Sequence, residues 1–210
     1  MSTPTVSSLP CHSYSWDPPD DTRLSSDVLY LDVEAATPVE LDPFRKGRQR
    51  VARIILLDDH NDVTWRTDVG PPEGFTDWRR PYSDYKYKTL FVPEAAARGL
   101  ANHKMMARLQ RLLEGKTVVA VNVRAVKEWV DVAEWHELPA SWVDLGLMAT
   151  PPGTHIPSQG LPGLFKTHFG GPNILSQNYY NNELPVRMIR QLYHLFRNDP
   201  VEPLISLCPQ

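Results

Sequence analysis

The chain has 210 residues, 41% of them hydrophobic and 22% charged, with a formal net charge of −3. That is enough apolar material for one sizeable core; it excludes a wholly disordered chain and one that attracts nucleic acid through overall positive charge. The two cysteines, Cys11 and Cys208, stand near opposite ends in no metal-ligand spacing, which excludes a disulfide framework and suits a reducing, intracellular setting, nucleus or cytoplasm.

In chain order, the first segment, MSTPTVSSLPCHSYSW, has neither a basic run nor an apolar stretch of the kind that marks a secretory leader. Residues 1–22 are expected to be an irregular tail, 23–198 a single domain and 199–210 a second tail. No run of eighteen apolar residues offers a membrane span. Eight acids and one base, Arg23, lie between Asp17 and Asp42. The strand DVLYLDV (27–33) falls inside this acidic stretch and is marked by its short apolar run. Next comes RKGRQRVAR, in which Arg45, Lys46, Arg48, Arg50 and Arg53 crowd together. VARIILLD (51–58) is apolar almost throughout and predicts a strand buried on both faces. DVTWRTDV (62–69) sets Val63, Trp65, Thr67 and Val69 on one face, and Asp59-His60-Asn61 is the turn between the two strands.

A helix is predicted over 93–114, with Pro93 near its start, Gly115 just past its end, and a stripe of Met105, Met106, Leu109, Leu112 and Leu113. TVVAVNV (117–123) predicts a buried strand, VKEWVDVAEW after it a helix, and Trp142–Asp144 a short strand. Between Leu145 and Asn182 the only Lys, Arg, Asp or Glu is Lys166, among five prolines. This stretch reads as a long irregular connection with at most a short helix around LFKTHF. A final helix is predicted over 185–197, with Val186, Ile189, Tyr193 and Phe196 on one side. A three-strand meander followed by βαβα units implies an α/β fold, a mixed sheet with helices packed on it, in the order of the ribonuclease H-like fold.

Several local matches in the right order carry a family resemblance. Leu31-Asp32-Val33-Glu34 is a strand ending in Asp-x-Glu. The stretch 50–74 resembles two strands with their hairpin. Thr76-Asp77-Trp78-Arg79-Arg80-Pro81-Tyr82-Ser83 is the most specific match, and VVAVNVRAVKEW follows the pattern of a second motif. Over roughly residues 27–197 the chain resembles the DnaQ-like, DEDD-type 3′–5′ exonucleases, nearest to the Rex-type and interferon-stimulated RNA exonuclease branch. The resemblance implies a ribonuclease H-like exonuclease fold and a pair of Mg²⁺ or Mn²⁺ ions held by four acids, with a His or Tyr handling the proton of the attacking water.

This sequence matches only part of that set. Asp32 and Glu34 stand at the first two acid positions, on one face of their strand by alternation. They are the candidate ligands for one Mg²⁺ or Mn²⁺. The family's second-motif His falls on Val121 and its Asp on Val126; valine binds no Mg²⁺. In the third motif, the His falls on Tyr180 and the Asp on Pro185. Asp144 matches a family acid that is not a metal ligand. Weak substitutes are Tyr179, Tyr180 and Glu183, with Glu128 or Asp131 for the missing acid, although these last two lie badly placed along the helix. The resemblance therefore implies a catalytically degenerate exonuclease that binds single-stranded nucleic acid, RNA ahead of DNA. The alternatives are an active enzyme with relocated ligands and a protein-interaction module or homodimer that keeps only the fold. The candidate nucleic-acid contacts are Arg45, Lys46, Arg48 and Arg50, as a phosphate track, with Arg79 and Arg80 beside the stacking platform Trp78. The basic run equally suits a solvated loop and strand edge, and Asp32 and Glu34, on spacing alone, suit solvated acids.

Overall fold

The computed structural model describes residues 24–36, 50–70, 102–129, 140–150, 160–169 and 183–200. Its elements, in chain order, are strands β1 (Val28–Ala36), β2 (Arg50–Asp58) and β3 (Val63–Asp68), helix α1 (Asn102–Leu113), strand β4 (Thr117–Ala120), helix α2 (Val123–Trp129), strand β5 (Ser141–Asp144), and helices α3 (Leu145–Met148), α4 (Leu161–Phe169) and α5 (Leu184–Phe196). The five strands form one sheet in the order β3-β2-β1-β4-β5. The β1–β2 and β2–β3 pairs are antiparallel, and the β1–β4 and β4–β5 pairs are parallel. This is the mixed sheet expected from the meander and crossovers, with 117–120 beside the strand that bears Asp32.

Alternation divides the sheet into two apolar layers. Leu29, Leu31 and Val33 of β1, with Ile54, Leu56, Trp65 and Val118, belong to one layer, closed by Met105, Leu109 and Leu113 of α1 and Val123 and Val126 of α2. Tyr30, Ile55, Leu57 and Val119 belong to the other, closed by Leu164 and Phe165 of α4 and by Val186, Ile189 and Leu192 of α5. β2 is buried along nearly its whole length because it feeds both layers, as its continuous apolar run predicts.

The β2–β3 turn is held from within. The Asp58 carboxylate accepts the backbone N–H of His60 and of Asp62, each at 2.9 Å, while Asn61 takes the left-handed φ of 71° that asparagine tolerates. Helix α5 is then tied to that turn by its basic face. Arg187 donates to the Asn61 carbonyl at 2.9 Å and Arg190 to the Asp59 carbonyl at 2.9 Å. One turn further on, the Tyr30 hydroxyl donates to Asp59 at 2.6 Å, and His194 lies between Asp59 (3.2 Å) and Asp199 (3.3 Å). Burial, then the Asp59 partner, hold the Tyr30 phenol well above its ordinary pKa, so it stays a donor.

Several element boundaries differ from expectation, those of β1, β4 and α2 for tertiary reasons. β1 runs to Ala36 instead of Val33, because Ala36 pairs with Arg50. β4 stops at Ala120 instead of Val123. Asn122 turns left-handed at φ 55°, and the Asp144 carboxylate, 22 residues away, accepts the N–H groups of Asn122 (3.1 Å) and Val123 (2.8 Å). Helix α2 therefore starts at Val123, capped from β5, which its β-branched sequence hides. α4 begins at Leu161, three residues before LFKTHF. The expected final helix is present and starts one residue early, with Pro185 in its first turn, where a missing N–H costs nothing. The expected tail 1–22 and the expected helical residues 93–101 and 130–135 lie outside the described residues. No helix among the described residues is long and apolar enough to cross a membrane.

Leu31 is 1% exposed within the β1 layer, whereas Leu147 on α3 is 74% exposed. Leu31→Ala is expected to cost about 2–5 kcal/mol and Leu147→Ala less than about 0.5 kcal/mol, read as a shift of the urea midpoint at unchanged m-value.

Candidate active site

β1 carries Tyr30, Asp32 and Glu34 on the face covered by α5, because Leu29, Leu31 and Val33 are taken by the opposite layer. Its pairing with β4 ends at Tyr30–Val119, two residues short of Asp32. The two acids thus emerge beyond the carboxyl end of the parallel pair, where open α/β sheets leave a crevice for ligands. This is the juxtaposition that the Asp-x-Glu spacing predicts.

A cation stands beside them that the spacing does not reveal. Glu34 is paired in register with Arg53 of β2, and Arg53 with Asp68 of β3. The register shifts between Glu34 and Ala35, leaving Ala52 as an extra residue on β2. This bulge lets Val51 stay in the apolar layer while Arg53 faces the acids. The Arg53 side chain is only 4% exposed; its Nε lies 2.7 Å from Asp68 Oδ1, and its Nη1 lies 3.6 Å from Glu34 Oε2. Nη1 is fully enclosed and makes no hydrogen bond, so it is held there by charge alone.

Burial penalises the charge on Asp32, Glu34 and Arg53, and their neighbours oppose or reinforce it. Burial raises Asp32 to about 7, helped by Glu34 and opposed by Arg53. Burial also raises Glu34, again opposed by Arg53 and reinforced by Asp68. For Arg53, burial pulls the pKa down, but Glu34 and Asp68 together outweigh it, and the net direction is up. Two carboxylates within 4 Å each attract with about 4 kcal/mol at an effective dielectric near 20, enough to offset a desolvation cost of several kcal/mol. The guanidinium therefore remains a full cation among three carboxyl groups.

The other expected positions fall elsewhere. Val121 packs into the α5-side layer, and Val126, 3% exposed, is buried in the α1–α2 layer, so both family ligand positions are filled by apolar packing. The Glu183 carboxylate is held between Arg66 (3.2 Å) and Arg187 (2.9 Å), as the salt link from β3 to the start of α5. Glu128 pairs with Arg124 at 3.1 Å and lines a cleft of about 470 Å³ with Trp142 and Lys127, beside β5. Asp144 spends its oxygens on the N–H groups of Asn122, Val123 and Gly146. Arg53, the last base of the run, faces inward, because strand alternation sets it on the same side as Ile55 and Leu57; the signal for this was a charge set inside an otherwise apolar strand. Arg50 begins β2, half-buried. Arg45, Lys46, Arg48, Trp78, Arg79, Arg80, Tyr179, Tyr180 and Asp131 lie outside the described residues.

A two-ion site needs hard carboxylate donors converging on both ions. Among the described residues no group of three or more Asp, Glu, His or Cys is placed around a common point. Arg53 stands where Glu34 and Asp68 would otherwise converge. The described residues do not fit the pair of divalent ions that the fold implies.

No protein-family model matches the chain, and no curated protein sequence matches it. Solved structures do. The catalytic unit of Neurospora crassa Pan2 (protease and nuclease domain) superposes at a TM-score of 0.60 and 11% identity, over 89% of this chain and 29% of that one. The Saccharomyces cerevisiae Pan2 pseudoubiquitin hydrolase–RNA exonuclease module in complex with AAGGAA RNA superposes at 0.57 and 13%, over 89% and 31%. The Saccharomyces cerevisiae PAN2 pseudoubiquitin-hydrolase–RNase module superposes at 0.55 and 15%, over 93% and 31%. The chain spans less than a third of the solved chains it matches. The likeness establishes an exonuclease-type fold.

The burial of Asp32 has a testable sign. A carboxyl raised from 3.8 to about 7 on folding contributes stability that is fully present below about pH 4 and lost as pH rises through 7. Asp32→Asn removes this loss. The variant is expected to exceed the wild type by on the order of 1–3 kcal/mol at pH 8, with the difference shrinking toward pH 4, in urea titrations at both pH values.

Proposed function

We propose that this chain is a single-stranded nucleic-acid-binding protein, RNA ahead of DNA, built on the exonuclease fold and without two-metal phosphodiester cleavage. The observation that carries the reading is the altered donor set on a retained scaffold. Asp32 and Glu34 keep the first-motif positions, while apolar valines stand at Val121 and Val126 and a buried arginine pairs with Glu34. Phosphodiester cleavage by this fold depends on paired dications that clamp the attacking and leaving oxygens, and one guanidinium between carboxylates supplies neither a bound nucleophile nor a clamp. Binding of a strand needs only cations along the backbone and aromatic platforms for the bases, so it outlasts the loss of the ligands.

The likeness to a Pan2 module solved with AAGGAA RNA supports RNA as the strand. The sequence supplies the cations in Arg45, Lys46, Arg48 and Arg50, and a stacking group flanked by bases in Trp78, Arg79 and Arg80. A relocated active site is disfavoured by the partners of its would-be acids, Glu183 with Arg66 and Arg187, and Glu128 with Arg124.

Fluorescence anisotropy with a labelled single-stranded RNA, in EDTA, tests the reading. Binding is expected, with log K falling against log salt by about 0.7 per phosphate contact. Reversing Arg48 and Arg50 to Glu is expected to weaken every sequence alike, and Trp78→Ala to cost about 1–3 kcal/mol. The same RNA incubated with Mg²⁺ or Mn²⁺ is expected to keep its length. Metal-dependent shortening from the 3′ end that disappears in Asp32→Ala would establish an active enzyme instead. Absence of binding at low salt, with a dimer or a protein partner in its place, would favour the interaction module.

A further inference from the structure

We propose that His194 is a pH-dependent pin at the end of α5. As an imidazolium it ties the helix to Asp59 of the β2–β3 turn and to Asp199 beyond the helix, and loss of its proton opens the tie. The pin involves neither the acids Asp32 and Glu34 nor the residues proposed to contact RNA.

Two separate parts of the chain bring a carboxylate to each nitrogen of this ring. On the helix side, α5 ends in a Schellman turn. Asn198 takes a left-handed φ of 59°, its N–H donates to the Leu195 carbonyl at 3.0 Å, and the Asp199 N–H donates to the His194 carbonyl at 2.9 Å. That reversal of the backbone sets the Asp199 carboxylate 3.3 Å from Nδ1 of His194. On the sheet side, β1 and the β2–β3 turn supply Tyr30 and Asp59 to the other nitrogen. Tyr30 Oη, Asp59 Oδ1 and His194 Nε2 form a closed triangle: 2.6 Å from Tyr30 to Asp59, 3.1 Å from Tyr30 to His194 and 3.2 Å from Asp59 to His194. The His194 side chain is only 18% exposed, so water has little room to replace these partners.

One protonation state fits all of these atoms. A carboxylate only accepts, and a neutral imidazole donates from one nitrogen alone. The single Tyr30 hydroxyl proton goes to Asp59, along the shortest side of the triangle. An Nε2 without a proton would turn its lone pair on the Asp59 oxygen and on a hydroxyl already engaged. An Nδ1 without one would turn its lone pair on Asp199. The imidazolium puts a donor in both places, and it stands in the last turn of a helix, where a cation is favoured. Arg197 lies 3.4 Å from Asp199, and Arg190 donates to the Asp59 carbonyl, so both arginines engage the acid or the turn and leave the ring facing carboxylates. Tyr193 meets the ring edge-on, and His168 of α4 lies against Phe196.

Histidine is the side chain that changes charge between about pH 5 and 8. These ties favour the charged ring, so their contribution is present on the acid side and lost as pH rises through that range. Without the proton, a lone pair faces a carboxylate and the end of α5 keeps only its backbone turn and its arginine contacts. Because α5 covers the face that bears Tyr30 and Asp32, the pin makes the seating of that cover respond to pH.

Amide hydrogen exchange of the full chain tests the pin, read at Arg197, Asn198 and Asp199 as protection relative to the intrinsic exchange rate at each pH. In the wild type, protection at these amides is expected to fall about fivefold from about pH 5.5 to about pH 8.5. In His194→Gln, which donates a hydrogen bond but does not titrate, it is expected to stay within about twofold. Asp199→Asn, which keeps the imidazole, is expected to remove most of the fall. Asp32 titrates in every variant, so the difference between wild type and variant isolates His194. An equal fall in wild type and His194→Gln, or no fall in the wild type, overturns the proposal. Should His194→Gln fail to fold, Asp199→Asn decides: a diminished fall supports the pin and an undiminished one overturns it.

Discussion

A guanidinium enclosed between carboxylates on three adjacent strands sets the terms for this protein. Arg53 pairs across β1 with Glu34 and across β3 with Asp68, while Asp32 lies within the same field. Each of these groups alone would be too costly to bury. Together Glu34, Arg53 and Asp68 are tolerated, because the guanidinium has a carboxylate on either side, whereas Asp32 answers its burial with a pKa raised to about 7. The strand pairing that brings them into a row, and the Ala52 bulge that keeps Val51 in the opposite apolar layer, are therefore inseparable from the chemistry of the face they form.

The same face is governed at its other end by polar contacts to α5. Arg187 and Arg190 reach the carbonyls of the β2–β3 turn, Glu183 bridges to Arg66 on β3, and Tyr30 shares Asp59 with His194. These contacts fasten the last helix along its length over the apolar layer of Ile55, Leu57 and Val119. Helix α5 opens with Pro185, just after a glutamate engaged by two arginines, so this end of the helix acts as a structural clamp between β3 and the α5-side layer.

The sheet order, the crossovers and both core layers follow the exonuclease-type fold, and the likeness to solved Pan2 modules extends over nearly nine-tenths of the chain. Val121 and Val126 pack into the two apolar layers, and an internal cation meets Glu34 on the face of the acid pair. The fold leaves the chemistry of its crevice open, since the core that stabilises it and the crevice draw on opposite ends of the same strands.

Much of this was legible in the amino-acid order. Apolar periodicity located all five strands and the long helices among the described residues, and alternation alone put Asp32 and Glu34 on a common face. The valines at the ligand positions could be read directly. These are local properties: they depend on residue spacing of two or about three and a half, which the chain carries with it. Arg53 reads locally as the last member of a basic run, and only pairing with strands on both sides makes it the partner of Glu34 and Asp68. Glu183 resembled a spare acid until β3 placed Arg66 against it, and α2 begins at Val123 only because Asp144 caps it from β5. The chain by itself determined which faces are apolar and which bear charge; tertiary structure alone decided which charges meet, because compensation depends on what stands across a strand and not on what lies beside it in sequence.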